Sequence, residues 1–393
     1  MDGIKNRPKK LAKTNIVIIR RHDSSTVWLD HAATDPNERF RHFVTENRPR
    51  NTLVYRTSPD GVHWSEPVAM RAAVGDRTTV FYNPFRKVWV LSERWSGGWT
   101  HGRARAYIED PDPKKIVSNV SQRVNWCAGE DADPDNPDPR FRQFAPELYN
   151  LDATPYESLM LGLFTICTGP GNQQEFRRVG QKRNDILLGF SRDGFHWHRP
   201  CRERFMAASW KDDTWNFGNV QSAAGGCLIV RDKLYFYVSA RAQDPALSHG
   251  NGSTGLAILR RDGFASMDAG SQGGTLTTRP LTFKGKHLFV NVDGPKGELK
   301  AEVIDKDGKV IEPFSLRNCQ RVSCDKTLAA VTWKQAVDLS AVSGKPVRFR
   351  FHLTNAAMYA FWVSPDRSGA SHGFVAAGGP SFTGPTDTVG RLR

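Results

Sequence analysis

One seven-residue phrase occurs twice in this chain and constrains the fold more than any other feature. The copies cover residues 58–64 (SPDGVHW) and 191–197 (SRDGFHW), and a weaker copy covers residues 261–266 (RDGFAS). Each follows a short apolar run, which is typical of a strand that ends in a tight Asp-Gly turn. Reuse of one supersecondary unit indicates a repeat architecture. The units, at about 60–70 residues, are longer than the usual propeller repeats, so we expect the extra residues to form long functional loops.

A second repeat indicates how the strands of each unit are arranged. Residues 23–30 and 76–83 share the pattern D-x-[ST]-T-V-aromatic-x-[DN], and a Pro/Asn turn and a second strand follow both. With a third strand, and a fourth after the Asp-Gly or Asp-Pro turn, each unit has the four antiparallel strands of a propeller blade. Two further units have first strands near residues 151–156 and 220–229. The sequence thus predicts an all-β fold in which residues 14–274 form a five-bladed β-propeller with four readable blades.

The sequence changes character at residues 270–274. The strands predicted beyond this point are amphipathic and lack the repeated phrase, and Asp-Gly turns separate them. Such a pattern is typical of a β-sandwich. We therefore predict a second domain, a C-terminal β-sandwich over residues 275–393 that ends in a Gly/Pro-rich tail. Its predicted strands include residues 281–283, 287–292, 299–304, 347–353 and 359–363.

Cysteine usage limits the cofactors of the chain. The six cysteines are scattered without a CxxC motif or a Cys/His cluster. We therefore predict no zinc, no other metal at the site and no cofactor, with a structural calcium ion as an open alternative. Reduced thiols are favoured, and the alternative is a disulfide between Cys319 and Cys324.

The formal net charge of +14 indicates anionic partners. The cations are spread out and no nucleic-acid-binding motif is present, so an acidic polysaccharide or a charged small substrate is favoured over nucleic acid. No apolar stretch has the length of a membrane span, and no signal-peptide core follows the basic N-terminus. We expect a cytoplasmic protein without a membrane partner, or a secreted one if the natural N-terminus lies upstream. The sequence does not indicate an oligomeric state.

Three aspartates are predicted at the mouth of the propeller channel. The first strand of each blade lines the channel, so residues that precede these strands gather at one face. Asp23, Asp76 and Asp152 hold such positions in the first three units. Like charges that converge in a cleft require a substrate, cation or proton; the alternative is that each aspartate caps its own strand. Glu157, at the turn after the third unit's first strand, is a secondary candidate acid, because a register error of one strand would bring it to the mouth.

Residues on the same face are candidates for sugar binding. Tryptophan rings stack on the apolar faces of sugars, and arginine binds carboxylate or sulfate groups through two parallel hydrogen bonds. Solvated basic loops without a ligand are the alternative interpretation. The predicted substrate-binding residues are Arg77, Trp99, His101, Arg103, Arg183, Trp215, Asn219, Gln221, Arg241 and His249.

These features resemble known glycosidases. The repeated phrase is similar to the Asp-box turn of sialidases, and a propeller followed by a sandwich resembles glycoside hydrolase families 32, 43 and 68. More closely, the chain resembles a group of uncharacterised bacterial proteins described as glycoside hydrolase family 32 N-terminal-like. The matching stretches are residues 75–85, 149–159, 215–226 and 260–270.

The resemblance implies three acids at the channel mouth: an Asp from each of the first two blades and a Glu from the third. By this resemblance Asp23 and Asp76 take the first two roles, and Asp152 or Glu157 takes the third. The chain lacks the Arg-Asp-Pro, Glu-Cys and Asn-Asp-Pro-Asn motifs of the characterised relatives. A fructan substrate is therefore not implied.

The sequence predicts a glycoside hydrolase of carbohydrate metabolism that degrades an oligo- or polysaccharide bearing acidic groups. One carboxylic acid would protonate the leaving oxygen, and a second carboxylate would act as nucleophile or base. Two alternatives stay open. A propeller polysaccharide lyase would use His101 or His249 with a Tyr to remove a proton beside a uronate, and a carbohydrate-binding protein would show no turnover.

Overall fold

The computed structural model describes residues 17, 22–48, 50–96, 102–118, 120–170, 183–211, 213–222, 226–242 and 251–390. In these residues the chain is all-β with several antiparallel sheets, which confirms the all-β part of the predicted fold. It forms two compact units, Met1–Cys227 with Phe236–Ala257 and Leu228–Tyr235 with Ile258–Arg393. No helix in the described ranges has the length and apolar character needed to cross a bilayer.

The first sheet is a four-stranded antiparallel meander. A short 3-10 helix, Pro36–Glu38, lies in the turn between its first two strands, where the Asp35 carboxylate accepts a hydrogen bond from the Asn37 amide at 2.8 Å. The strands pair in chain order: β1 (His22–Leu29), β2 (Phe40–Arg48), β3 (Arg50–Ser58) and β4 (Ala69–Ala72).

The repeated phrase forms the turn after β3. Asp60 Oδ1 accepts hydrogen bonds from the amides of Val62 and His63, both at 2.8 Å. Gly61 has a φ of +74°, which residues with a side chain rarely adopt. The second copy repeats this geometry at Asp193, whose Oδ1 accepts two backbone amides at 2.9 and 2.8 Å. The phrase recurs because Asp satisfies two amides and Gly permits the turn.

The second sheet has the same topology as the first. Its strands also pair in chain order: β5 (Thr79–Asn83), β6 (Val88–Trp95), β7 (Ala104–Asp110) and β8 (Val124–Ala128). Helix α1 (Pro113–Ser118) connects β7 to β8 and buries Ile116 and Val117. These two residues share a core with Phe43 and Leu53 of the first sheet and Leu91 of the second. At about 25 cal/mol per Å² of apolar area removed from water, this burial holds the two sheets side by side.

The third sheet places its first strand beside β5. It contains β9 (Glu147–Glu157), β10 (Leu159–Thr168) and β11 (Arg183–Ser191), which pair antiparallel; a 3-10 helix, Pro139–Phe141, precedes it. β5 contacts both β1 and β9, and Thr79 Oγ1 donates a hydrogen bond to the Leu151 carbonyl at 3.4 Å. The first strands of three successive sheets are therefore neighbours.

The next segment differs from its predicted form. Two strands, β12 (Val220–Ser222) and β13 (Leu228–Val230), replace the single strand predicted over residues 220–229, so that prediction is wrong. β12 pairs with the later part of β14 (Lys233–Ala242) in the first unit, and β13 pairs with its start in the second. Gly226, at φ +81°, lies between β12 and β13, and a Cβ there would come within 2.3 Å of Thr154 Cγ2. A residue with a side chain would collide with Thr154 here, so the chain does not continue through this position as a regular strand. β15 (Asn251–Arg260) follows.

The second unit contains two antiparallel sheets that share one apolar core. One sheet has the order β16-β22-β18-β20 and the other β17-β21-β19. Val290 and Leu288 of the first sheet pack with Phe349 and Phe351 of the second. The sequence analysis missed β17 and β20, and Cys319 and Cys324 are not joined by a disulfide. The strands of the two sheets are β16 (Met267–Ala269), β17 (Gly274–Thr277), β18 (His287–Asp293), β19 (Glu298–Ile304), β20 (Asp325–Val331), β21 (Arg348–Thr354) and β22 (Ala356–Ser364), and a two-residue strand outside both sheets, β23 (Phe374–Val375), follows.

Candidate active site

Asp23 and Asp76 lie next to each other, although 53 positions separate them in the chain. The Asp23 carboxylate accepts a hydrogen bond from the backbone amide of Arg77 at 2.5 Å, and Ser24 Oγ donates to the Thr78 carbonyl at 2.8 Å. Arg77 has a φ of +55°, unusual for a residue with a side chain. The starts of β1 and β5 are thus joined, and the acid of the first sheet meets the residue that follows the acid of the second.

Two arginines bind the Asp76 carboxylate. Arg94 Nη1 lies 2.5 Å from Oδ1 and Arg103 Nη1 lies 3.5 Å from Oδ2. Burial opposes the charge of Arg103, but Asp76 and other nearby groups outweigh it and raise the pKa of Arg103 above its ordinary value. Arg103 also lies over the Tyr149 ring at 4.7 Å and 3.6 Å from Glu147 Oε2. These contacts fix the orientation of Asp76 at the start of the second sheet.

Asp152 is buried in the middle of β9. The strand begins at Glu147, earlier than predicted, so Asp152 lies inside the strand rather than before it. Its side chain is 3% exposed, and Oδ2 accepts hydrogen bonds from Asn150 Nδ2 at 2.8 Å and from Ser222 Oγ. Oδ1 has no hydrogen-bond partner among the described residues. One carboxylate oxygen is therefore held in place and the other is free.

Arg105 connects the surroundings of Asp76 with those of Asp152. The side chain is fully buried. Nη2 donates to the carbonyls of Ser92 and Arg77, the latter at 2.7 Å, Nε donates to Ser92 Oγ at 3.0 Å, and Nη1 lies 3.4 Å from the Tyr149 carbonyl. Burial lowers the pKa of Arg105 to about 10, while the charges of Asp152 and Asp76 oppose the decrease. The hydrogen bonds of Arg105 thus connect the residue after Asp76 with the early part of β9, the strand that carries Asp152.

Sequence reasoning missed Arg105, although a signal was present. The residue interrupts the otherwise uncharged run Ala-Arg-Ala-Tyr-Ile at the start of β7, where Ala104, Ala106 and Ile108 are all fully buried. An arginine inside such a run requires buried acceptors or an acid. The strand register adds to this requirement, because Arg105 lies directly opposite Arg94. Like charges on facing positions repel, so the neighbouring carboxylates are needed to offset them.

Glu157 lies away from the three aspartates. It is the last residue of β9, with a φ of +51°, at the hairpin that leads into β10. Five residues of extended chain separate it from Asp152, a span of about 16 Å. The structure therefore does not bring Glu157 together with Asp152.

Arg77, Asn219 and Gln221 lie close to the acids or to β12. Arg77 Nη2 donates to the Ser222 carbonyl at 3.2 Å and so connects the start of β5 with β12. Asn219 Oδ1 accepts hydrogen bonds from Asn184 at 2.6 Å and from Gln221 at 2.8 Å. These amides form a buried network that adjoins the residue donating to Asp152.

The remaining predicted binding residues have varied surroundings. Arg183 is buried and bonds Asp185 and the Ala208 carbonyl, both at 2.6 Å, which indicates a structural role. Trp215 is 43% exposed, and Gly255 lies so close to its ring that a Cβ would approach within 2.2 Å. Arg241 is exposed on β14. Trp99, His101 and His249 lie outside the described residues.

The site as a whole offers carboxylates and arginines. Within the described ranges, no group of three or more His, Cys, Asp or Glu side chains has an arrangement that could hold a metal ion. One solvent-exposed carboxylate, one carboxylate bound by arginines and one buried carboxylate with a free oxygen can together supply a base, a charged group that binds or stabilises, and an acid. These are the functional groups that acid–base cleavage of a polar bond requires.

Comparison with known proteins gives structural similarities at low identity. No family model and no curated protein matches the chain. An exo-β-1,3-galactanase from Phanerochaete chrysosporium, solved with galactose, is 10% identical over 86% of this chain and 96% of its own, with a TM-score of 0.32. A family 43 arabinoxylan arabinofuranohydrolase from Bacillus subtilis, solved with cellotetraose, is 11% identical over 87% and 78%, with a TM-score of 0.33. A glycosyl hydrolase from Bacteroides ovatus is 11% identical over 83% and 87%, with a TM-score of 0.38. Similarities of this size do not establish a family or an activity.

Proposed function

We propose that this protein is a glycoside hydrolase that cleaves an oligo- or polysaccharide bearing acidic groups. The observation that carries the proposal is a chain of hydrogen bonds that links acids of three successive sheets. Asp23 accepts the amide of Arg77, the residue after Asp76, and Arg77 donates to the carbonyl of Ser222, whose hydroxyl donates to Asp152. Glycoside hydrolysis needs only an acid and a carboxylate nucleophile or base around the sugar, so no cofactor is required.

The proposed architecture is a five-bladed propeller over residues 14–274 and a sandwich over residues 275–393. Two four-stranded meanders and the contacts of β5 with β1 and β9 support the propeller. The common core of two antiparallel sheets in the second unit supports the sandwich. In a propeller, Asp23 and Asp76 would lie at the channel mouth.

The surroundings of each aspartate suggest its role. Asp152 is the proposed general acid, because its buried Oδ1 has no hydrogen-bond partner among the described residues and so has room for a proton. Asp23 is exposed and is the proposed nucleophile or base. Asp76, held by Arg94 and Arg103, would stabilise the positive charge that develops on the sugar. Glu157 has no part in this assignment because of its distance along β9.

The arginines around the acids support an anionic substrate. Arg94 is about one-third exposed and binds Asp76 through Nη1. Its remaining N–H groups, together with those of Arg77, can bind a carboxylate or sulfate in the geometry that a guanidinium favours.

The test is a screen of purified protein against acidic and neutral polysaccharides for new reducing ends. Asp23→Asn, Asp76→Asn and Asp152→Asn should each lower the rate by about 10²–10⁴-fold, whereas Glu66→Gln, which alters an exposed carboxylate near the repeated turn, should not. Appearance of an unsaturated uronate would favour the lyase alternative. Binding without any turnover would favour a carbohydrate-binding protein and refute the hydrolase.

A further inference from the structure

Two arginines share one buried glutamate near the candidate active site. Glu93 of β6 is 2% exposed, and its Oε2 lies 3.0 Å from Arg71 Nη2 and 2.9 Å from Arg123 Nη2. Arg71 comes from β4 of the first sheet and Arg123 immediately precedes β8 of the second. The trio carries a net charge of +1, which is costly in a largely buried place unless an anion joins it.

Three nitrogens of these arginines have no partner of their own. Nε and Nη1 of Arg71 and Nε of Arg123 are buried and have no hydrogen-bond partner among the described residues. Another shared carboxylate has more of its donors in use. Arg183 and Arg204 share one acid, Asp185, and Nη2 of each bonds a carbonyl, that of Ala208 or of Asp135, at 2.6 Å.

The trio lies at the same end of the second sheet as Asp76. Thr79 pairs with Ser92, so the antiparallel register places Glu93 opposite Thr78, two residues from Asp76. Arg94, the next residue of β6, binds Asp76 itself. The Trp95 ring lies under the Arg123 guanidinium at 4.4 Å, and such a ring offers an apolar face beside the positive charge.

We infer that Arg71, Arg123 and Trp95 form a subsite for an anionic group, a carboxylate or a sulfate, on a sugar next to the one that is cleaved. The inference rests on the proposed hydrolase function, because the neighbouring sugar is defined by the one that is cleaved. An anionic oxygen supplies the missing acceptors and balances the charge, and Glu93 holds the two guanidinium groups in position. Arg71 and Arg123 are thus binding residues, and Glu93 is a positioning residue.

Binding without turnover tests the subsite. In an Asp23→Asn background, affinity for polygalacturonate, dextran sulfate and neutral dextran is measured by isothermal titration calorimetry. Arg71→Gln and Arg123→Gln should each weaken binding of at least one polyanion by roughly tenfold or more, the worth of a charge-assisted hydrogen-bond pair, and leave the response to dextran unchanged. Loss for polygalacturonate alone identifies a carboxylate subsite, and loss for dextran sulfate alone identifies a sulfate subsite.

The matched control is Arg86→Gln, which removes the same charge from the turn at the other end of β6. Equal weakening in this control, or no weakening in the two test variants, would overturn the inference. Thermal unfolding checks each variant. If the Gln variants fail to fold, Arg123→Lys, which keeps the charge without the planar guanidinium, should bind the same polyanion more weakly than the protein with Arg123, and unchanged binding would overturn the inference. Since no turnover is measured, a failed hydrolysis screen leaves this result intact.

Discussion

Arg105→Met tests whether one buried arginine holds the candidate site together. The substitution removes hydrogen bonds to Ser92 Oγ at 3.0 Å and to the Arg77 carbonyl at 2.7 Å, and it also leaves the Ser92 carbonyl without this donor. Each buried acceptor left unpaired costs about 1–3 kcal/mol. Removing one member of a buried charge network costs about 3–5 kcal/mol in total.

One effect opposes this loss. Burial of the charge lowers the pKa of Arg105 to about 10, which means that the folded protein holds the cation at a cost that methionine does not have. We therefore expect a loss of about 3 kcal/mol, at the lower end of the range. Domains are usually stable by about 5–15 kcal/mol, so this loss would be a large fraction of the free energy of unfolding.

Urea unfolding followed by tryptophan fluorescence measures the effect. Arg86→Met is the control, because Arg86 and Glu109 form a partly exposed pair at 2.5 Å, and such pairs contribute about 0–1 kcal/mol. A loss below about 1 kcal/mol in Arg105→Met, or an equal loss in the control, would refute the role given to Arg105.

Two further predictions concern the first sheet and the repeated turn. Burial, with help from Arg56 and His22, lowers the pKa of His42 to about 4; the unfolded chain therefore binds more protons between about pH 4 and 6.5, and about 3 kcal/mol of stability should be lost as the pH falls through this window. His42→Gln should flatten that dependence in urea midpoints, and an unchanged slope would contradict it. Gly194→Ala should destabilise more than Gly61→Ala, because both have φ +74° but the new Cβ would lie 2.4 Å from Asn83 Nδ2 in one and 3.4 Å from Phe40 in the other. Thermal unfolding of the two variants compares them directly, and equal losses would show that backbone strain alone decides.

The sequence was most informative where a pattern repeats. The shared D-x-[ST]-T-V pattern placed Asp23 and Asp76 at matching positions of two hairpins, and such positions meet if the hairpins pack in the same way. The Asp-Gly phrase likewise indicated its own turn, because its hydrogen bonds are local. The catalytic roles of these aspartates remain predictions that the activity screen tests.

The sequence was less informative where contacts are distant and do not repeat. Asp152 depends on Ser222, which is 70 positions away, and on a strand that begins earlier than its apolar pattern indicated. Arg71 and Arg123 meet at Glu93 from two different sheets. The spacing of residues along the sequence does not indicate such a contact, because the contact is created by the packing of one sheet on another.

Strand β6 connects the two parts of the proposed site. Successive side chains of a strand point to opposite faces, so Arg94 and Glu93, adjacent in sequence, serve different partners: Arg94 binds Asp76, and Glu93 holds Arg71 and Arg123. A slip of β6 by one residue would exchange the two faces and break both sets of contacts at once. The register of one strand therefore positions both the proposed catalytic carboxylate Asp76 and the proposed anion subsite. It follows that substitutions that disturb this strand should impair cleavage and anion binding together, whereas Arg71→Gln and Asp23→Asn should separate them.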